Sequence, residues 1–182
     1  GDSLTLYDLI CGLLLQSGND CAAAIAEHIS GSQEAFAELM NTEAKQLGAT
    51  GTHFVNPHGL HDENHYTTTY DLYLMFNEAL KDQAFLDIIS MNSYTAKVTS
   101  ADGTSYTPTW QATNYYSAGE ATPPDGIHVY GGKTGTTDQA GNCVILYEKN
   151  TAGEPYISVI MGASDKPLLY EEMNELLDAG MK

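Results

Sequence analysis

Two short clusters carry the side chains best suited to catalysis. The first is Ser17-Gly18-Asn19, which brings a hydroxyl and a carboxamide together across one glycine. Polar residues and glycine between two apolar runs are also what a helix–helix turn uses, so taken alone this triplet reads as a turn. The second is Lys133-Thr134-Gly135-Thr136, preceded by Gly131 and Gly132 and followed by Thr137. Its surroundings have strand character, and β-branched or aromatic side chains are usual there, so a lysine among small residues stands out. Small residues let another backbone approach closely, which makes this stretch a strand edge with one cation, suited to an anionic peptide. A third cluster, H-G-L-H-D-E-N-H, holds His58, His61 and His65 with Asp62 and Glu63. Its H-D-x-x-H spacing is one side-chain length from the H-E-x-x-H zinc signature, which requires both histidines on one helical face. The flanking N-P-H-G-L and H-Y-T-T-T segments argue for a loop instead, so no metal ligands are assigned and a zinc hydrolase stays a lesser alternative.

The elements that must hold these clusters can be read from spacing. Thr5 and Asp8 fit a capping box, and Leu6, Leu9, Ile10, Leu13 and Leu14 then recur at helical intervals up to about Gln16. An alanine-rich run from Cys21 to Ile29 predicts a second helix, which places Ser17-Asn19 in the break between the two. A third helix carries Phe36, Leu39, Met40, Ala44 and Leu47 as its inner stripe, with Gly48 as a left-handed stop. A second capping box, Thr68 with Asp71, opens a helix through about Leu80. Strand signals follow. Residues 93–110 predict two strands around an Asp102-Gly103 turn, the lysine stretch a third, and N-C-V-I-L-Y-E-K and Y-I-S-V-I-M-G-A-S a hairpin joined by N-T-A-G-E-P. A last helix places Leu169, Met173, Leu176 and Leu177 on one face. Helices, then an antiparallel sheet, then a closing helix make an α+β chain: one domain, mainly helical over 1–90 and mainly sheet over 91–182.

Composition narrows the partners. The chain has 24 acidic residues against 7 basic ones, all lysine, for a formal charge of −17, the wrong sign for a nucleic-acid phosphate backbone. The acidity is dispersed, which fits a solvated surface better than an acidic binding patch. Cys11, Cys21 and Cys143 stand among apolar neighbours at no metal spacing and read as buried thiols. Trp110, Tyr115 and Tyr116 could form a sugar platform, but aromatics in such positions more often pack in or beside the core.

S-x-N followed by K-T-G matches two of the three motifs of penicillin-binding proteins and β-lactamases, the third being S-x-x-K. Over nearly its whole length the chain resembles the D-alanyl-D-alanine carboxypeptidases, low-molecular-mass penicillin-binding proteins. The resemblance rests on the long stretches L-L-L-Q-S-G-N-D to F-V-N-P-H-G-L and G-G-K-T-G-T-T-D-Q-A-G-N-C-V-I-L, not on the motifs alone. It implies a transpeptidase-like fold and a cofactor-free serine peptidase that trims peptidoglycan stem peptides ending in D-Ala-D-Ala and is acylated by β-lactam antibiotics.

In such a site Ser17, Asn19 and Lys133 would be catalytic, and Thr134, Gly135, Thr136 and Lys166 would bind the substrate. Lys166 would replace a carboxylate-binding arginine that this chain lacks. The nucleophile would be the serine of S-x-x-K, yet none of the seven lysines has a serine three residues before it. The expectation is therefore an N-terminally truncated, inactive fragment of a secreted envelope enzyme. Its signal peptide would be elsewhere, and its uncovered sheet edge would favour self-association. The rival class is a non-catalytic peptidoglycan-binding module of the same fold.

Overall fold

The computed structural model describes residues 1–180. Five helices come first: α1 (Leu6–Gln16), α2 (Asn19–Ser30), α3 (Gln33–Gln46), α4 (Thr69–Ala79) and α5 (Gln83–Ile89). Short strands β1 (Ser93–Thr95), β2 (Val98–Thr99), β3 (Ser105–Tyr106) and β4 (Thr109–Gln111) follow, then a one-turn helix α6 (Tyr115–Ala118). The main sheet consists of β5 (Ile127–Thr137), β6 (Gly141–Asn150) and β7 (Pro155–Ala163), antiparallel in the order β5-β6-β7, and α7 (Lys166–Gly180) closes the chain. The α+β order expected from the sequence is the observed one.

Local chemistry explains most element ends. Thr5 and Asp8 form the reciprocal capping box at α1, which satisfies donors that the first helical turn cannot bond internally. At α4 only half of the expected box forms. The Thr68 hydroxyl accepts from Asp71 N–H, but the buried Asp71 carboxylate takes the Thr52 hydroxyl at 2.7 Å instead of returning to Thr68. The segment read as two strands is a single hairpin with a gap. β1 pairs with β4 and β2 with β3, and Pro108, which has no N–H to donate, lies in the interruption.

The two faces of the main sheet are buried differently. Pairing sets Lys133 opposite Ile145 and Gly131 opposite Tyr147, so these four share the face toward α4 and α5. There Ile145 packs with Phe76 and Ile89. Val144, Leu146 and Glu148 occupy the other face, where the first two meet Leu169, Tyr170, Met173 and Leu177 of α7. Met173 and Leu177 are fully buried, each stabilising the fold by about 1.5–3 kcal/mol.

Several sequence expectations need correction. Leu39 on α3 and Leu176 on α7 are exposed; the tight positions on α3 are Ala37 and Ala44, and on α7 Tyr170 joins Leu169, Met173 and Leu177. Helical spacing marks a stripe, but its width is set by what packs against it. Cys143 is only half-buried, unlike Cys11 and Cys21. The aromatics need no correction: Trp110 stacks on Tyr94 against the cluster of Cys11, Leu15 and Ile88, and Tyr115 and Tyr116 pack on Tyr170, the packing role favoured from sequence. Among the described residues no helix is long and apolar enough to cross a membrane.

Candidate active site

The corner between α1 and α2 is made by close approach. A Cβ on Gly12 would lie 2.8 Å from Cys21 Sγ, so only glycine lets the two helices meet there. The chain then reverses through Ser17, which has φ 56° and ψ 41° and is the only non-glycine residue with positive φ among those described. A serine in this region costs about 1–2 kcal/mol. Its N–H bonds back to the Gly12 carbonyl, and the reversal sends its hydroxyl toward β5.

Lys133 Nζ donates to Ser17 Oγ at 2.5 Å, across 116 residues of sequence, and also to the Thr134 carbonyl at 2.7 Å. The lysine is half-buried at the cleft wall, and loss of solvent around the ammonium pushes its pKa down to about 8. A charged amine with two neutral acceptors and no carboxylate partner among the described residues is therefore poised to give or take a proton near neutral pH. The glycines before it do not serve ligand approach in the way the sequence suggested. A Cβ on Gly131 would fall 1.9 Å from the Ile89 carbonyl oxygen, so this position lets α5 dock on the sheet. Gly135, beyond the lysine, faces open space.

Around this pair lies a cleft of about 510 Å³ that includes Ser17, Asn19, Lys133, Thr134, Gly135, Thr136 and Lys166. All seven residues singled out from sequence are thus brought together. β5 is an edge strand here, with β6 on one side and no strand on the other among the described residues. Thr134 Oγ1 lies 2.7 Å from the hydroxyl of Thr113, which lines the same cleft. Thr136 Oγ1 donates to Asn142 Oδ1 at 3.2 Å, and Asn142 Nδ2 donates to the Ala163 carbonyl at 3.3 Å. Lys166, the first residue of α7, stands 5.5 Å from the centre of the Tyr115 ring. Two of the chain's seven lysines line the cleft and none of its 24 acidic residues does, so this hollow in a strongly acidic protein favours an anion.

His58 also lines the cleft, with Gly59 and Leu60. Sequence reasoning set this N-P-H-G-L stretch aside as a turn, and it missed Thr113, Cys143 and Asn142, which gave no motif signal. The histidine cluster is a loop. His65 Nδ1 accepts from Val55 N–H and His58 Nδ1 from Leu60 N–H, so these rings fasten the loop's own backbone. The helical face that an H-D-x-x-H zinc site needs is missing, and no three side chains among the described residues are placed to hold a metal.

The sequence model of the D-alanyl-D-alanine carboxypeptidase family matches residues 1–165. The chain belongs to this family. It is 31% identical over 178 residues to the D-alanyl-D-alanine carboxypeptidase DacF of Bacillus subtilis, a match covering 98% of this chain and 43% of the relative. It is 30% identical to the D-alanyl-D-alanine carboxypeptidase of Streptomyces sp. strain K15, over 99% of this chain and 62% of that one. The crystal structure of the Streptomyces K15 DD-transpeptidase superposes with a TM-score of 0.89 at 27% identity, over 99% of this chain and 69% of that one. A Mycobacterium tuberculosis D-alanyl-D-alanine carboxypeptidase structure does so with a TM-score of 0.82 at 27% identity, over 97% and 64%. The carboxypeptidase fold, helices followed by an antiparallel sheet and a closing helix, is thus shared along the chain. The chain spans about two fifths of the length of several of these curated relatives.

Proposed function

We propose that this chain forms the S-x-N and K-T-G walls of a serine-type D-alanyl-D-alanine carboxypeptidase site acting on peptidoglycan stem peptides. The observation that carries the reading is the bond from Lys133 Nζ to Ser17 Oγ, which joins the two motifs at one point of an anion-favouring cleft. In the reaction a serine oxygen bonds to the carbonyl carbon of the penultimate D-alanine. The C–N bond to the terminal D-alanine breaks, its nitrogen takes up a proton, and water then cleaves the acyl ester. Ser17 relays that proton from Lys133, whose lowered pKa suits the task. Asn19 hydrogen-bonds the substrate amide, Gly135 admits the peptide beside β5, and the Thr136 main-chain N–H faces the developing oxyanion. Thr134 and Lys166 hold the terminal carboxylate, the lysine as a point charge without an arginine's fork.

The nucleophile is the serine of an S-x-x-K motif, which these 182 residues do not contain, so this reading places it on polypeptide outside them. The complete protein then works outside the cytoplasm, at the bacterial cell envelope, and is acylated by β-lactams. Intact-protein mass after incubation with a penicillin tests this. The 182-residue chain gains no mass. The complete protein gains one penicilloyl group, and Lys133→Met slows that acylation by roughly 100-fold or more. Because the relayed proton starts on Lys133, acylation falls as pH rises through about 8. An adduct on Ser17 in the 182-residue chain overturns the assignment of the nucleophile. A complete protein without S-x-x-K makes the fold a non-catalytic binder.

A further inference from the structure

The end of the cleft that holds Thr136 and Lys166 is built from two different strands. Thr136 lies near the end of β5, and Lys166 follows Ala163, the last residue of β7, by three positions. One side chain touches both. Asn142, on the strand between them, accepts from the Thr136 hydroxyl and donates to the Ala163 carbonyl. It is one of five buried polar or charged residues among those described. The sheet leaves room for it through a register shift between Asn142 and Val144. Gly141 supports the same corner, since a Cβ there would lie 2.8 Å from the Ala163 oxygen.

The orientation of the carboxamide follows from chemistry. A backbone carbonyl can only accept, so the NH2 group of Asn142 must face Ala163, and its oxygen must face Thr136. An amide oxygen can also only accept, so the Thr136 hydroxyl has to supply the proton. That hydroxyl has one proton, and it is spent inside the protein. What remains toward the cleft is lone pairs.

We propose that Asn142 is a positioning residue that turns the Thr136 hydroxyl into a hydrogen-bond acceptor toward the cleft, leaving a ligand's carboxylate to Lys166 and its N–H groups to Thr136. This rests on the proposed carboxypeptidase reading for the ligand, but the hydroxyl's direction is independent of it. A carboxylate offers no donor to an acceptor-only hydroxyl, whereas a peptide N–H does. Thr136 therefore selects for peptide N–H groups and contributes nothing to the charge anchor.

Nuclear magnetic resonance of the isotopically labelled 182-residue chain tests the first half. The Thr136 hydroxyl proton is expected as a slowly exchanging resonance with a cross-peak to the Asn142 carboxamide group, lost in Asn142→Leu and also in Thr136→Val. A Thr136 hydroxyl that exchanges freely, or that lacks the contact to Asn142 while the fold is intact, overturns the proposal. Titration of the same chain with N-acetyl-D-alanyl-D-alanine tests the second half. Lys166→Met weakens binding at least fivefold, and Thr136→Val weakens the peptide but leaves acetate, a carboxylate with no N–H, within twofold. In the Asn142→Leu background the freed hydroxyl can donate, and Thr136→Val then weakens acetate as well. If Thr136→Val costs acetate binding as much as Lys166→Met does in the otherwise unchanged chain, Thr136 is a donor and the proposal fails. Failure to bind the dipeptide by a chain that shows the protected hydroxyl counts against the carboxypeptidase reading alone.

Discussion

The two faces of the β5-β6-β7 sheet each hold a charged side chain whose pKa is strongly displaced, half-buried Lys133 on one and fully buried Glu148 on the other, and they treat it in opposite ways. On the face toward α4 and α5, Lys133 keeps two acceptors and an opening to the cleft. On the face under α7, Glu148 has no solvent contact, and one of its oxygens has only the Ser158 hydroxyl, at 2.6 Å. Its other oxygen has no partner among the described residues. Burial pushes Lys133 down to about 8 and Glu148 up to about 7, so both groups titrate close to neutrality. The first is held where a proton can be used. The second is sealed in an apolar layer, and its ionisation costs the fold without serving the cleft.

The sharpest way to break this comparison is to push the helical face off the sheet. Gly131→Ala drives a Cβ into the Ile89 carbonyl, and since neither backbone can yield cheaply, a loss of more than about 4 kcal/mol in chemical denaturation is expected. Glu148→Gln acts on the opposite face. Glu148 binds its proton more tightly when folded, so its stabilising contribution is complete below about pH 4.5 and is lost as pH rises through about 7. The substitution is therefore expected to raise stability by up to about 3 kcal/mol at pH 8 and by almost nothing at pH 4.

Lys133→Met probes the other sign. Here the folded pKa lies below the unfolded one, so the wild-type chain gains stability as pH rises from about 8 to about 10.5, and the variant does not. At pH 7 a gain of about 1–2 kcal/mol is expected, because relief of burial is offset by the two lost hydrogen bonds. With both groups present, thermal unfolding against pH has a minimum between about 7 and 8, and each substitution removes one wall of it. The smallest effect belongs to Gly135→Ala, which adds a methyl to open space. Stability changes by less than about 0.5 kcal/mol, while dipeptide affinity falls if that space admits the substrate.

These two faces were not equally legible in the sequence. The lysine face carried local signals: the Thr5–Asp8 box that starts α1, the break at Ser17, and a lysine among glycines and threonines in a strand. Each is a short-range pattern, and the motif order tied them together. Glu148 gave none, because a charged residue in V-I-L-Y-E-K reads as the solvated end of a strand, and only the docking of α7 buries it. The same cause lies behind Leu39 and Leu176, apolar residues at helical spacing that no other element covers. Helices α5 and α6 span seven and four residues, too short for a period to show against the β-rich text around them. Asn142 was invisible for a further reason. Its role is set by a carbonyl on one neighbouring strand and a hydroxyl on the other, and neither partner is adjacent in sequence.

The Lys133–Ser17 bond has a bearing on how the molecule comes together. β5, β6 and β7 are joined by tight turns and can pair through local encounters, whereas this bond closes a loop of 116 residues. Loop-closure entropy rises with length, and contacts of this kind repay it only after the elements on both sides exist. Folding therefore completes the sheet before the cleft. The same order in reverse makes the S-x-N corner the first part of the site to open, so amide exchange around Ser17 outpaces that of β6 while the rest of the fold stays shut.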